Sequence, residues 1–158
     1  MPTPEFIVSL REKIGHESLW LSGVTAVVQR DDGDVLLARR ADDGQWTSVT
    51  GIIDPGEEPA DAAEREVLEE AGLVVVAERL AWVHVLPPHT WPNGDRAQFL
   101  DLVFRCRYVS GDPSPVDGEN TEVGWFGLDA LPTVSAGQRE GIEVALAGGV
   151  ARFERHGG

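Results

Sequence analysis

The chain has 158 residues, enough for one domain around a single hydrophobic core. It is 42% hydrophobic and carries a formal net charge of −14, which excludes a disordered chain and argues against a nucleic-acid polymer as partner, since phosphate backbones need a basic surface. No apolar run approaches the roughly 20 residues of a membrane span. The N-terminus, MPTPEFIVSL, shows neither the basic region nor the apolar stretch of an export signal. Cys106 stands alone, so there is no internal disulfide framework, and a buried structural thiol in a cytoplasmic protein is expected.

Taken in order, Phe6, Ile7, Leu10 and Ile14 recur at helical spacing and Gly15 is a stop, predicting a helix over about residues 4–15. It should pack on the core or on a second subunit. Gly23 to Arg30 reads as a strand, Asp31-Asp32-Gly33 as a turn, and Val35 to Arg39 as the hairpin partner. Strand formers resume from Trp46 to Val49 and lead into Gly51. Asp54-Pro55-Gly56 has the chemistry of a type II turn. A helix starting near Pro59 or Ala60 is closed by Gly72. Leu73–Val76 and Leu80–Leu86 form two short extended pieces or one bent strand. Pro87, Pro88, Pro92, Asn93 and Gly94 mark an exposed loop. Ala97–Val109 alternates strongly as a long strand, and Ser110–Asn120 is a loop long enough to be functional. Glu122–Leu128 is a further strand. Ser135 with Gln138 makes a capping box for a last helix over about residues 135–148, ended by Gly148-Gly149 before a loose tail. Helices alternating with strands, without a repeat or linker, predict a single α/β (α+β) domain with a mixed sheet.

The most informative stretch is GIIDPGEEPADAAEREVLEEAGL, from Gly51 to Leu73. On its helix Glu66, Glu69 and Glu70 share a face, while Ala63, Val67 and Ala71 line another. Like charges so placed repel by roughly 0.2–0.5 kcal/mol per pair, and burying them costs more unless a cation offsets the charge. Oxygen-rich clusters of this kind suit Mg²⁺ or Mn²⁺.

The spacing resembles the signature of the Nudix (MutT-like) hydrolases: Gly, five residues, Glu, seven residues, then Arg-Glu-apolar-x-Glu-Glu-x-Gly-apolar. Gly51, Glu57, Arg65, Glu66, Val67, Glu69, Glu70, Gly72 and Leu73 fill its fixed positions. With average residue usage, a given window matches by accident on the order of once in a billion. The resemblance covers residues 51–73 and implies an α/β/α sandwich and an Mg²⁺-dependent (or Mn²⁺-dependent) pyrophosphohydrolase. The substrate would be a nucleoside diphosphate linked to another group, ADP-ribose-like or a nucleoside triphosphate. The rival reading is a Nudix-fold module that senses a nucleotide without cleaving it. A homodimer is expected.

By this resemblance Glu66, Glu69 and Glu70 are metal ligands, Glu57 supports them, and Gly51 lets its carbonyl approach a metal. Arg65 orients a glutamate through its planar fork. The general base is open between Glu69 or Glu70 on the helix and Glu119 or Glu122 near the long loop, with Glu122 ranked above Glu119. Glu64 has no role in the signature and reads as a solvated acid. Arg39 and Arg40 either hold a terminal phosphate or are ordinary surface charges. Trp46 and Trp91 are candidates for stacking a base, while Trp20, Trp82 and Trp125 are assigned to the core. His84 and His89 form no zinc pattern with Cys106. Many family members enter the signature through Pro-Gly-Gly; here it is Val49-Thr50-Gly51, a departure touching no ligand. Pro87 and Pro88 fall where enzymes acting on ADP-ribose often carry proline, which tilts the expected substrate that way.

Overall fold

In the computed structural model, which describes residues 3–157, β1 (Leu19–Gln29) is the strand around which the others assemble. Its sequence is buried on both faces from Gly23 to Val28, which is why it reads as a continuous apolar run. Along one edge β1 pairs in parallel with β7 (Arg96–Ser110) over its whole length. Its other edge is shared. β4 (Val49–Ile52) pairs antiparallel with Gly23–Ala26, and β2 (Val35–Arg40) joins at Gln29 through the predicted turn. Outside β2 lie β3 (Trp46–Thr47) and β8 (Asn120–Phe126); outside β7 lie β5 (Val74–Val85) and β9 (Arg152–Phe153), and β6 (His89–Thr90) pairs with the start of β7.

Alternate residues of β1 feed two cores. Val24, Ala26 and Val28 pack with Ala62, Ala63, Val67 and Ala71 of helix α2 (Pro59–Ala71). Val27 packs on the opposite face with Ile142 and Ala145 of helix α3 (Ala136–Ala147). The result is the expected mixed sheet between helices. Helix α1 (Glu5–Ile14) closes a third cluster, with Ile7 against Leu21 and Ala97.

The turn and cap chemistry behaves as read. Gly56 takes a φ of 84° and Glu57 N–H donates to Asp54 O at 3.0 Å. Gly72 adopts the left-handed conformation and closes α2. Cys106 is buried, and burial pushes its thiol up to about 12.

Several details depart from expectation. Of the two alternatives for β5, the single bent strand is the one observed, with bulges between Ala77 and Arg79 and between Leu80 and Trp82. Ahead of the last few residues, Arg152 and Phe153 pair in parallel with Trp82 and Val83, a short strand not expected from sequence. The capping box is half made: Ser135 accepts from Gln138 N–H, but the Gln138 side chain turns to Ser48 N–H at 2.9 Å, tying α3 to the segment before β4. Trp20 is 60% exposed rather than in the core, because α1 packs on Leu21 and leaves the alternate side uncovered. Trp91 is half-buried against Phe99 and His89. His84 is structural, its Nε2 donating to the Asp101 carboxylate at 2.9 Å, which also accepts from Thr25.

Glu64 is not a solvated acid either. Its Oε1 accepts from Ala77 N–H at 2.9 Å, satisfying a donor at the β5 bulge that the ladder leaves unpaired. Glu64→Ala should therefore lower stability by about 1–2 kcal/mol in urea unfolding, and Glu64→Gln, which retains an oxygen acceptor, by less.

Candidate active site

The acidic helix is held where it is by what it buries. Ala62, Ala63, Val67 and Ala71 are fully covered, and the same rotation carries Glu66 and Glu70 inward, to 0% and 6% exposure. Glu69, one position aside, stays exposed. Sequence spacing put the three glutamates together; the helix in place divides them.

Arg65 organises the first group. Its Nε and Nη2 grip both oxygens of Glu57 at 2.7 and 2.9 Å, Nη1 donates to Glu66 Oε1 at 2.9 Å and to Glu69 at 3.3 Å, and Nη2 also reaches Ile52 O at 3.1 Å. Glu57 accepts in addition from Asp54 N–H, so the turn ahead of the helix is stitched to the guanidinium. The Arg65 hydrogen bonds hold Glu57 below the usual carboxylate range and raise the arginine. Gly51 has a role beyond the one expected of its carbonyl, because a Cβ there would overlap the Glu66 side chain. Glycine is what gives that carboxylate room.

Glu70 belongs to a second group. It accepts from Asn120 Nδ2 at 3.3 Å, and it comes together with Asp117 and Glu119, the ligand oxygens of all three lying within 4.8 Å of one another. The long loop is brought there by the helix end. Ser114 N–H donates to Ala71 O and Val116 N–H to Glu70 O, so residues 114–116 satisfy carbonyls that a helix C-terminus leaves open. Ala41 N–H donates to Glu119 O and fixes the far end of the loop. Asp117 and Asn120 were not among the residues singled out from sequence; the signal available was the acidic run inside a loop already marked as functional.

Of the remaining predicted residues, Arg40 lies opposite Asn120 in the β2–β8 register and close enough to Glu70 for their charges to interact, whereas Arg39, Glu122 and Trp46 lie elsewhere. Glu122 pairs with Arg39 at 3.1 Å across the β8–β2 register, and both are exposed. It therefore stands apart from the carboxylates around Glu70, and Glu119 is the loop acid that joins them. Arg40 is engaged in a two-pronged pair with Asp42. Trp46 packs edge-on against Phe126, centroids 4.9 Å apart, within the α3-side core. None of Arg39, Arg40 and Trp46 lines the cleft over the helix, which has a volume of about 670 Å³ and includes Arg65, Glu69 and Asp117 in its walls.

The electrostatics fit a cation. Burial pushes Glu66 up to about 8 in spite of Arg65, and burial pushes Glu70 up to about 7 in spite of Asn120. Glu66 Oε2 is buried and has no hydrogen-bond partner. A buried carboxylate oxygen left unsatisfied is destabilising unless a proton or a metal ion meets it. An all-oxygen donor set of this kind suits a hard divalent ion.

A NUDIX domain model matches residues 20–144, and the chain belongs to the Nudix family. It is 37% identical over 108 residues to a MutT-like protein of Streptomyces ambofaciens, covering 68% of this chain and 64% of that one. It is 34% identical over 115 residues to the NAD-capped RNA hydrolase NudC of Chromobacterium violaceum, covering 71% of this chain and 40% of that one. The chain thus spans less than two thirds of the length of these relatives. Among solved structures, an ADP-ribose pyrophosphatase from Streptococcus suis superposes with a TM-score of 0.67 at 26% identity, covering 85% of this chain and 98% of that one.

The raised carboxyls carry a pH signature. For Glu66 and Glu70 the folded values of about 8 and about 7 exceed the ordinary 4.5, so their contribution to stability is fully present below about pH 4.5 and is lost as pH rises through the folded values. In excess EDTA the melting temperature should fall between about pH 5 and 8. Millimolar Mg²⁺ or Mn²⁺ should abolish that fall by replacing the lost protons. A melting temperature that is flat with pH in EDTA would contradict the burial of these two acids.

Proposed function

We propose that this chain is a Mg²⁺-dependent pyrophosphohydrolase, with Mn²⁺ as an alternative ion, that breaks the diphosphate bond of a nucleoside diphosphate linked to another moiety. The observation that carries this reading is the fully buried Glu66 carboxylate, one oxygen fixed by Arg65 and the other without a partner beside a cleft. Glu66, Glu69 and Glu70, with Glu57 and the Gly51 carbonyl in support, are the residues that would hold the metal. When bound, the divalent ions screen the diphosphate and lower the pKa of a coordinated water. Arg65 keeps three carboxylates at fixed positions, so that little rearrangement is needed as charge develops at phosphorus. The water oxygen bonds to phosphorus as the bridging P–O bond breaks, and the departing phosphate oxygen takes the electron pair.

The water's proton needs an acceptor. Glu119, gathered with Glu70 and Asp117, is better placed than Glu122, whose carboxylate is committed to Arg39 on an exposed strand. The net charge of −14 supports a small nucleotide rather than an RNA chain as substrate, although relatives named as NAD-capped RNA hydrolases are among those it resembles. Exposed Val74, Val76 and Val85 on β5 support a homodimer, and the solitary reduced Cys106 supports a cytoplasmic setting.

The test is a nucleotide panel with Mg²⁺ and chromatography of products. AMP with ribose 5-phosphate would mark ADP-ribose as substrate, and inorganic pyrophosphate a triphosphate. Glu66→Gln and Glu70→Gln should each reduce kcat by about 10²-fold or more while remaining folded. Glu119→Gln should lower kcat by about 10²–10⁴-fold and Glu122→Gln by far less; the reverse order would return the base to β8. Tight nucleotide binding without any Mg²⁺-stimulated cleavage would replace the enzyme with a sensing module.

A further inference from the structure

A second cavity, of about 270 Å³, opens where Gln29 ends β1 and the chain turns toward β2. Three arginines line it, Arg30, Arg105 and Arg107, against two acids, Asp31 and Glu78. That balance is positive in a chain whose formal net charge is −14. The cleft over the acidic helix, lined also by Pro4, Glu5 and Phe6 at the start of α1, shares no residue with it. Gln29 lies roughly 20 Å along β1 from Gly23, the residue paired with Ile52 ahead of the acidic turn.

The strands put the charges there. Arg105 and Arg107 flank the buried Cys106, so they leave β7 on one face, roughly 7 Å apart. Across the β5–β7 ladder Arg79 stands directly opposite Arg105. Like charges so paired are destabilising. Most of these cations are relieved. Arg79 turns to Ala145 O and Gly149 O at the end of α3, Arg30 is held by Asp32 and Asp34, and Arg107 by Glu78 at 2.8 Å. Arg105 is the exception. Among the described residues it forms no ion pair, and its side chain makes one hydrogen bond, from Nη2 to Gln29 Oε1 at 3.0 Å. Gln29 is itself fixed, donating to Gly33 O at 2.9 Å. The half-buried guanidinium is thus held in place with most of its five donors open.

An anion between Arg105 and Arg107 would remove the repulsion and use those donors. Guanidinium forks match phosphate oxygens in pairs. The cavity lies just below the usual range for drug-sized ligands, which suits a phosphate group rather than a whole nucleotide. We propose that Arg105 and Arg107, with Arg30 beside them, form an oxyanion site that takes a phosphate dianion, free or as the monoester of a small metabolite. The site works without a metal ion and does not rest on the hydrolase reading.

The experiment is a calorimetric titration of the full chain with inorganic phosphate in excess EDTA, against sodium chloride at matched ionic strength. EDTA removes the ions through which the acidic helix would hold a phosphate. Saturable binding above the chloride control is expected, and Arg105→Gln should weaken it about ten- to hundredfold. Glu78→Gln, at an exposed position, frees Arg107 from its acid and should tighten binding several-fold; it carries the test if Arg105→Gln fails to fold. Glu70→Gln should leave the affinity unchanged. Ribose 5-phosphate separates the two sources: tighter binding than phosphate assigns the site to a monoester, and equal or weaker binding to the free ion. Phosphate that binds no better than chloride overturns the inference. So does an affinity that Arg105→Gln and Glu78→Gln leave unmoved, or one that Glu70→Gln abolishes.

Discussion

The grip of Arg65 on Glu57, Glu66 and Glu69 is the interaction on which the geometry of this molecule turns. A helix that buries an apolar stripe of small residues cannot avoid burying some of its neighbours, and here two of those are glutamates. Raising a carboxyl by several pKa units is on the order of several kcal/mol against its charged form. A single guanidinium with a fixed fork offsets part of that for Glu66, at the same time fastening the turn before the helix to the helix itself. Lysine, a point charge on a flexible stem, could not serve five acceptor directions at once. Because the turn begins where β4 ends, the guanidinium also connects the sheet to the site through Ile52 O.

A second constraint acts at the other end of the helix. A helix C-terminus leaves carbonyls without partners, and the chain supplies them from residues 114 and 116 of a loop that crosses over from β7. The same hydrogen bonds that complete the helix deliver Asp117 and Glu119 to Glu70. Close approach makes this possible: Gly111 has a φ of 105°, and a Cβ there would stand 2.7 Å from Gly72 O. Capping, loop placement and site assembly are one set of contacts rather than three.

This explains what was and was not legible in the sequence. The sheet-and-helix order was readable because β1, β7 and α2 carry strong patterns, and the turns at Gly56 and Gly72 because positive φ has a clear residue preference. The fixed spacing from Gly51 to Leu73 exposed the acidic helix and Arg65. Spacing along one helix could not show that Glu70 turns toward a loop about 50 residues later in the chain, since that contact depends on how the loop caps the helix. Glu122 was ranked above Glu119, but an antiparallel register sets it opposite Arg39, and an ion pair follows from that register. Glu64 seemed idle because its partner, the Ala77 amide, exists only where β5 bulges. The N-terminal helix was visible as an amphipathic segment, yet its part in the cleft arises only from where Ile7 and Arg11 dock it.

A net charge of −14 is compatible with the proposed anionic substrate once the charges are located. Glu66 and Glu70 are buried, where a divalent ion would be worth most because the surroundings are dry and screening is weak. The exposed acids on the cleft rim act over water and salt, where their pull on a diphosphate is small but their hydrogen-bonding capacity remains. Under the proposed function, a phosphate arriving without a metal ion would meet repulsion from these carboxylates.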